Sequence, residues 1–298
     1  MVPGSWMAVT LSTTRAGAMS QPLRSVDLLL LAYLTVVSLV AIVRISHNPG
    51  GWWLLLAHGL FVLLLFLLTR PGLGPVGRTI REIYPLILLP ALYSELDVLN
   101  ANAVAMHDAT VQHWEMLLFG RQVSQDFWQA VPSRFWSTLF HSSYLSYYLI
   151  ISAPALYFAW KGDLQAVRRF VLVVIATFVV CYLAFIFFPV AGPYYAFPRP
   201  DAWFTSNIAA RMTYEALATG SSYGAAFPSS HVAAALAATL AAARSSPRLG
   251  VILLIPTLLL TVGVVYCQMH YGVDALSGLG VGLLVTWLVN KSGTKRAA

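Results

Sequence analysis

Apolar residues run along this chain in long blocks separated by short polar or Gly/Pro-rich breaks, with little of the alternation that marks half-buried strands. Eight blocks have the length of a membrane-crossing helix or close to it: about Val26–Ile45, Trp52–Thr69, Ile83–Leu99, Leu139–Trp160, Phe170–Phe188, Ser229–Ala243, Leu249–Gln268 and Tyr271–Val289. Breaks such as "SHNPGG" and "RPGLGP" end the first two. Roughly 18 or more residues almost free of charge are what about 30 Å of hydrocarbon requires. The third block is the weakest, because it holds Pro85 and Pro90 and runs into the polar "SELDVLNAN". The pattern predicts an all-α fold: a polytopic membrane helix bundle of about eight transmembrane helices.

Composition supports this. The 298 residues are 58% hydrophobic and only 10% charged, with a mean hydropathy of +0.72, whereas about a quarter of a soluble domain is charged. The net charge of +7 could suggest nucleic acid, but the positions of the basic residues argue against it. With the connections assigned alternately to two sides, thirteen of the 18 Lys and Arg fall on one side and five on the other. The positive-inside rule then places both termini in the cytoplasm. The basic surplus reads as a topological signal and a contact for anionic phospholipid headgroups at the cytoplasmic face, with no nucleic-acid partner. Cys181 and Cys267 both sit in apolar context and read as small buried hydrophobes. Residues 1–25 have no signal-peptide core and read as a disordered tail. Trp114, Trp128 and Trp136, in the amphipathic stretch of about 100–138, are spaced like interfacial anchors. His107 and His113 are six apart, a poor spacing for two metal ligands on one helical face.

The segment "AAFPSSHVAAALAA" (residues 225–238) opens an alanine helix with three polar side chains. Pro228 suits a first turn, Ser229 or Ser230 can cap it, and the free N–H groups there suit phosphate. His231 lies in that turn. After two crossings the chain returns to the same face as "YCQMHYGVDALSG", carrying His270 and Asp274 at i and i+4. A carboxylate beside an imidazole sets its tautomer and stabilises its positive charge. Two histidines and an aspartate converging at one membrane face are expensive unless they are used. Gly278 and Gly282 share the face of Asp274, a spacing that serves close helix packing.

"FPSSH" followed by "HYGVD" resembles the second and third signature motifs of the type 2 phosphatidic acid phosphatase superfamily. Within it, the likeness is to the inositol phosphorylceramide synthase (aureobasidin-resistance, inositolphosphotransferase) branch. The resemblance extends over roughly residues 110–290, where "LLFG" and "FPVAGP" also fit. It implies a six-helix lipid phosphatase/phosphotransferase core within residues 83–290. Around that core the chain divides into a tail (1–25), two additional transmembrane helices (26–82) and a basic C-terminal tail (291–298). The resemblance further implies that His270 is the nucleophile, that Asp274 orients it, that His231 is the general acid, and that Ser229 and Ser230 hold phosphate oxygens, with no metal and no cofactor.

Three positions depart from the family pattern. Gly192 stands where the first motif has lysine, Val264 where the third has arginine, and Ser230 where the second has glycine. Arg199, in "GPYYAFPRP", is the remaining candidate phosphate clamp, with Tyr194, Tyr195, Tyr266 and Gln268 as further candidate donors. Fewer cations suit a phosphodiester better than a free phosphate dianion. The leading expectation is a lipid phosphotransferase that moves a phosphoryl head group from a phospholipid donor to a hydroxyl acceptor through a phosphohistidine. The alternative is a lipid phosphate or polyprenyl diphosphate phosphatase using water, and a non-enzymatic transporter is a third. The expected place is the plasma membrane with the active site at the outer face. No block offers an oligomer face beyond the glycines.

Overall fold

The computed structural model describes residues 22–100, 104–220 and 222–295. The expected N-terminal tail lies almost wholly outside these residues. Helices make up 80% of the structure; among the described residues the β pairing is one isolated bridge, Val190 with Ala225. In chain order the helices are α1 (Ser25–Arg44), α2 (Gly51–Leu68), α3 (Pro75–Asn100), α4 (Asp108–Phe119), α5 (Val123–Ala130), α6 (Arg134–Trp160) and α7 (Leu164–Phe187). There follow α8 (Pro193–Ala196), α9 (Ala202–Thr205), α10 (Ile208–Gly220), α11 (Ser230–Ser245), α12 (Pro247–Tyr266) and α13 (Gly272–Lys295).

Five of these, α1, α2, α7, α12 and α13 through Ser292, are long and apolar enough to cross a membrane; the chain has the helices of an integral membrane protein. The other three expected blocks are helical but do not meet both conditions, for physical reasons. The α11 helix has 16 residues, or about 24 Å at 1.5 Å per residue. The first half of α6 carries Ser137, His141, Ser143 and Tyr144. The α3 helix, the block expected to be weakest as a span, runs unbroken through Pro85 and Pro90 but is too polar to be counted among the five. Proline at 85 cannot donate to the Arg81 carbonyl four residues back, and the Arg24 guanidinium supplies the missing donor at 2.8 Å. At the C-terminus the helix continues to Lys295, into the stretch expected to be a tail.

The centre of the bundle is the alanine helix. Along α11, Val232 through Ala235, Ala237, Ala238, Ala241 and Ala242 are buried, and α6, α7, α12 and α13 pack around it. Small side chains let the neighbours come close. A Cβ added at Gly278 of α13 would lie 2.6 Å from the Ser229 carbonyl oxygen, and one at Gly282 would lie 2.7 Å from that of Ala233. The packing role expected of both glycines is borne out, and Cys181 and Cys267 are free and buried.

At the end of the bundle where α1 begins, a buried ionic knot ties α1, α3 and α7. Arg81 pairs with Asp27 through both guanidinium nitrogens, and Glu82 accepts from Arg24 and Arg168 at 2.7 Å each. At the other end Arg44 donates to the carbonyls of Leu99 (3.0 Å) and Ile186 (3.2 Å), closing the C-termini of α3 and α7.

These contacts predict opposite signs within one helix. Replacing Gly278 or Gly282 with alanine should lower stability by about 1–3 kcal/mol through overpacking. The same change at Gly280, which has open space around it, should be neutral or gain up to about 1 kcal/mol of helix propensity. Thermal unfolding of the purified protein in detergent reads both.

Candidate active site

The loop before α11 is pinned by two backbone bonds, Val190 N–H to Gly224 (3.1 Å) and Ala226 N–H to Val190 (2.9 Å). Ser229 then caps α11, its hydroxyl accepting from Val232 N–H at 3.4 Å. Its own N–H donates to the Asp274 carbonyl at 3.0 Å, so the first turns of α11 and α13 are bonded to each other. This places the imidazoles of His231 and His270 with ring centroids 5.7 Å apart. The predicted trio thus meets at one end of the bundle.

Hydrogen bonding orients His270. Its Nδ1 lies 3.0 Å from the Ala226 carbonyl oxygen and 3.5 Å from Asp274 Oδ2. Both partners are acceptors, which assigns the proton to Nδ1 and leaves Nε2 unprotonated. The carbonyl makes the shorter contact, while Asp274 Oδ2 takes its close bond from Tyr271 N–H at 2.8 Å. Asp274 therefore holds the turn that carries His270 as well as facing its ring. His231 lies against Tyr144 and Tyr147, at centroid distances of 4.7 and 4.4 Å, and its Nδ1 is buried without a protein partner.

Both histidines open onto a chamber of about 780 Å³, lined also by Ser230, Tyr194 and Tyr195. Away from the histidines it runs between α3, α6 and α7, past Leu86, Leu89, Ile151 and Phe178. Among the described residues no Lys or Arg lines it, and Asp97 is its one carboxylate.

The remaining candidates lie elsewhere. Ser229 lies behind the chamber wall as the cap. Tyr266 is fully buried and donates its hydroxyl to Val131 at 2.7 Å, so this side chain is held by packing and does not reach the histidines. Arg199 is exposed, its guanidinium 3.5 Å from the centre of the Tyr194 ring. It lines a second, smaller cavity together with Gln268. Trp128, read as an interfacial anchor, is instead buried, packed against Trp203 and Phe204. Trp114 and Trp136 are partly exposed.

One departure from the family pattern, Gly192, has a local cause. Gly192 has φ +95, and a Cβ there would lie 2.9 Å from that of Ala226, so a lysine would be strained and crowded. Val264 is fully buried, and its carbonyl accepts from Met269 and His270 N–H at 2.9 and 3.0 Å.

Two carboxylates missed by the sequence reading hold the site together, both on α4. Asp108 accepts from the N–H groups of Ala191 and Gly192, each at 2.8 Å, and from the Tyr271 hydroxyl at 3.0 Å. Glu115 is fully buried and accepts from Gly272 N–H (3.0 Å), Val273 N–H (2.9 Å) and Val123 N–H (3.2 Å). It thus caps α13 from another helix, where a negative charge also meets the positive end of the helix dipole. Each lies on the amphipathic stretch beside a histidine, His107 and His113, and nothing local marks it as a partner of distant backbone N–H groups.

The PAP2 superfamily model matches residues 109–288 of this chain, well over half of its length. The chain belongs to the PAP2 superfamily, which makes it a phosphatase- or phosphotransferase-type membrane enzyme. No curated protein and no solved structure matches it.

Removing the Glu115 carboxylate strips three buried N–H groups of their acceptor. The Glu115→Ala variant should lose about 2–3 kcal/mol of stability, the scale of charged buried hydrogen bonds. Hydrogen exchange at the Gly272 and Val273 amides should accelerate, as measured by mass spectrometry on peptides spanning 270–276. Unchanged exchange there would refute the capping role.

Proposed function

We propose that the protein is a lipid phosphotransferase that works through a phosphohistidine. The observation that carries this reading is the pair of imidazoles 5.7 Å apart, at the head of a lipid-sized chamber with no cationic lining. His270 Nε2 attacks phosphorus as the bond to the leaving oxygen breaks, and His231 gives that oxygen a proton. The Ala226 carbonyl and Asp274 hold Nδ1–H and stabilise the charge that develops on the ring. The acceptor hydroxyl then attacks phosphorus, His231 removes its proton, and the N–P bond breaks. Splitting one displacement into two is the gain from covalent catalysis.

A wall without Lys or Arg offers little to a dianion, so the donor is a phosphodiester lipid with a single negative charge. Ser230, Tyr194 and Tyr195 supply neutral donors for its oxygens, and the slot between α3 and α6 takes its tail. Arg199 and Gln268, beyond Tyr194, serve the head group, and Ser229 contributes by fixing the start of α11. The family's inositolphosphotransferase branch fits this donor best. Membership of the PAP2 superfamily also favours a second reading, a phosphatase with water as acceptor.

The corresponding topology has eight crossings, three of them by α3, α6 and α11, with a six-helix core preceded by α1 and α2. Both termini face the cytoplasm, where basic residues meet anionic headgroups, and the histidines face the outer side of the plasma membrane. The excess of Lys and Arg on one set of connections supports that orientation.

Purified protein supplied with a labelled phosphodiester lipid separates the two readings. Acceptor-dependent transfer of the label supports the transferase; acceptor-independent release of inorganic phosphate supports the phosphatase. Either reading requires His270→Gln to lower turnover by at least about a thousandfold, with the fold intact. A fully active variant contradicts both.

The two histidines must act in opposite protonation states, so kcat/KM should be bell-shaped in pH. In His231→Ala the rate should drop about 10²–10⁴-fold and the alkaline limb should vanish, as a pH series on the variant will show.

A further inference from the structure

Near the end of α3, Asp97 stands in the wall of the reaction chamber with its charge unanswered. Its Oδ1 accepts from Tyr223 N–H at 2.9 Å and its Oδ2 from the Ser222 hydroxyl at 3.3 Å, both neutral donors. Among the described residues no Lys, Arg or His pairs with it, and no Lys or Arg lines the chamber. Tyrosine rings gather on the same loop. Tyr195 lies 4.9 Å from Tyr194 at 85° and 5.2 Å from Tyr223 at 86°, so three rings form two right-angled corners. Tyr93 is tied in as well, its hydroxyl accepting from Ser222 N–H at 3.3 Å. One ring of this group already carries a cation, the Arg199 guanidinium on Tyr194. Tyr195 lines the chamber and is 46% exposed, which leaves its ring open to a ligand.

We propose that this end of the chamber binds an ammonium group, primary or quaternary, carried on an apolar chain. The Asp97 carboxylate supplies the opposite charge, and a tyrosine face attracts a cation through its ring quadrupole. Other ligands answer these groups less well. An anion meets a carboxylate, and a neutral polyol leaves the charge unmatched. A bare Mg²⁺ or Ca²⁺ needs about six or more oxygens, whereas here one carboxylate stands among rings. The chain is read from α3 itself. Asp97, Ser94, Pro90 and Leu86 line the chamber at helical spacing, so one stripe of the helix passes from the carboxylate to apolar side chains. An amphiphile with a cationic head matches that order. That the ammonium belongs to the phosphodiester donor or to the hydroxyl acceptor rests on the transferase reading. The binding of a cationic amphiphile does not.

The test is equilibrium binding of tritiated dodecyltrimethylammonium at tracer concentration, read by scintillation proximity on full-length His270→Gln protein so that turnover plays no part. Dodecylammonium should displace the tracer, while 1-dodecanol and dodecyl phosphate, which share its chain and lack its charge, should not. Affinity should fall at least about fivefold in Asp97→Asn and in Tyr195→Leu, and stay unchanged in Trp160→Phe, which lies at the far end of α6. Asparagine keeps an oxygen for the Tyr223 amide and removes only the charge. Should Asp97→Asn fail to fold, Tyr195→Leu, at an exposed position, carries the result. Displacement by dodecylphosphocholine places the ammonium on the donor; displacement by 2-aminododecan-1-ol without dodecylphosphocholine places it on the acceptor; both support the site. No saturable binding, equal displacement by 1-dodecanol, or unchanged affinity in a folded variant of either residue overturns it. Because the tracer contains no phosphorus, that failure would leave the phosphotransferase reading standing, and the failure of that reading would leave the binding result standing.

Discussion

The site depends on how closely α13 lies against α11. The Ser229 amide bonds the Asp274 carbonyl at 3.0 Å, and that contact is possible only because Gly278 and Gly282 present no Cβ to the Ser229 and Ala233 carbonyls. In lipid no hydrophobic gain draws helices together, so close backbone packing and hydrogen bonds must do it. A larger residue at either glycine would separate the first turns of the two helices, and with them the imidazoles they carry. The run of alanines in α11 is the counterpart of the glycines: a core helix thin enough for four neighbours to reach.

The polar groups beneath this contact are positioned by the loops and by α4. Asp108 gathers the 191–192 backbone and the Tyr271 hydroxyl, and Glu115 fixes the start of α13. His270 is consequently held on three sides: by the Ala226 carbonyl at its Nδ1, by Asp274 beneath its turn, and by the Val264 carbonyl that accepts its N–H. A rigidly held ring with one bare nitrogen is what a nucleophile needs, since orientation is a large share of the barrier reduction in such displacements. Under the proposed function, neutral donors and a chamber lined by no Lys or Arg among the described residues suit a singly charged diester.

Much of this was legible in the sequence because it follows from short-range rules. Apolar runs marked the helices, proline and serine marked the start of α11, and the i, i+4 spacing placed Asp274 beside His270. The small residues at 278 and 282 announced close packing. What escaped depends on contacts across the chain. Nothing local says that Glu115 caps a helix about 157 residues away, that Arg24 answers the carbonyl freed by Pro85, or that Trp128 turns inward beside Trp203. Arg199 shows the same limit: its motif position suggested phosphate, but its guanidinium stacks on Tyr194 at the border of another cavity. The span count fell short for α3, α6 and α11 because hydropathy averages a helix over all its faces, whereas α11 is short and buried among its neighbours and α6 turns its polar residues inward.

The most direct measurement of the central claim is to quench the purified enzyme during turnover of a phosphate-labelled donor lipid and map the label by mass spectrometry. The account predicts an acid-labile, alkali-stable phosphoryl adduct on the peptide bearing His270, absent after His270→Gln. Label on another residue, or steady turnover with no adduct on that peptide at any time point, would contradict it.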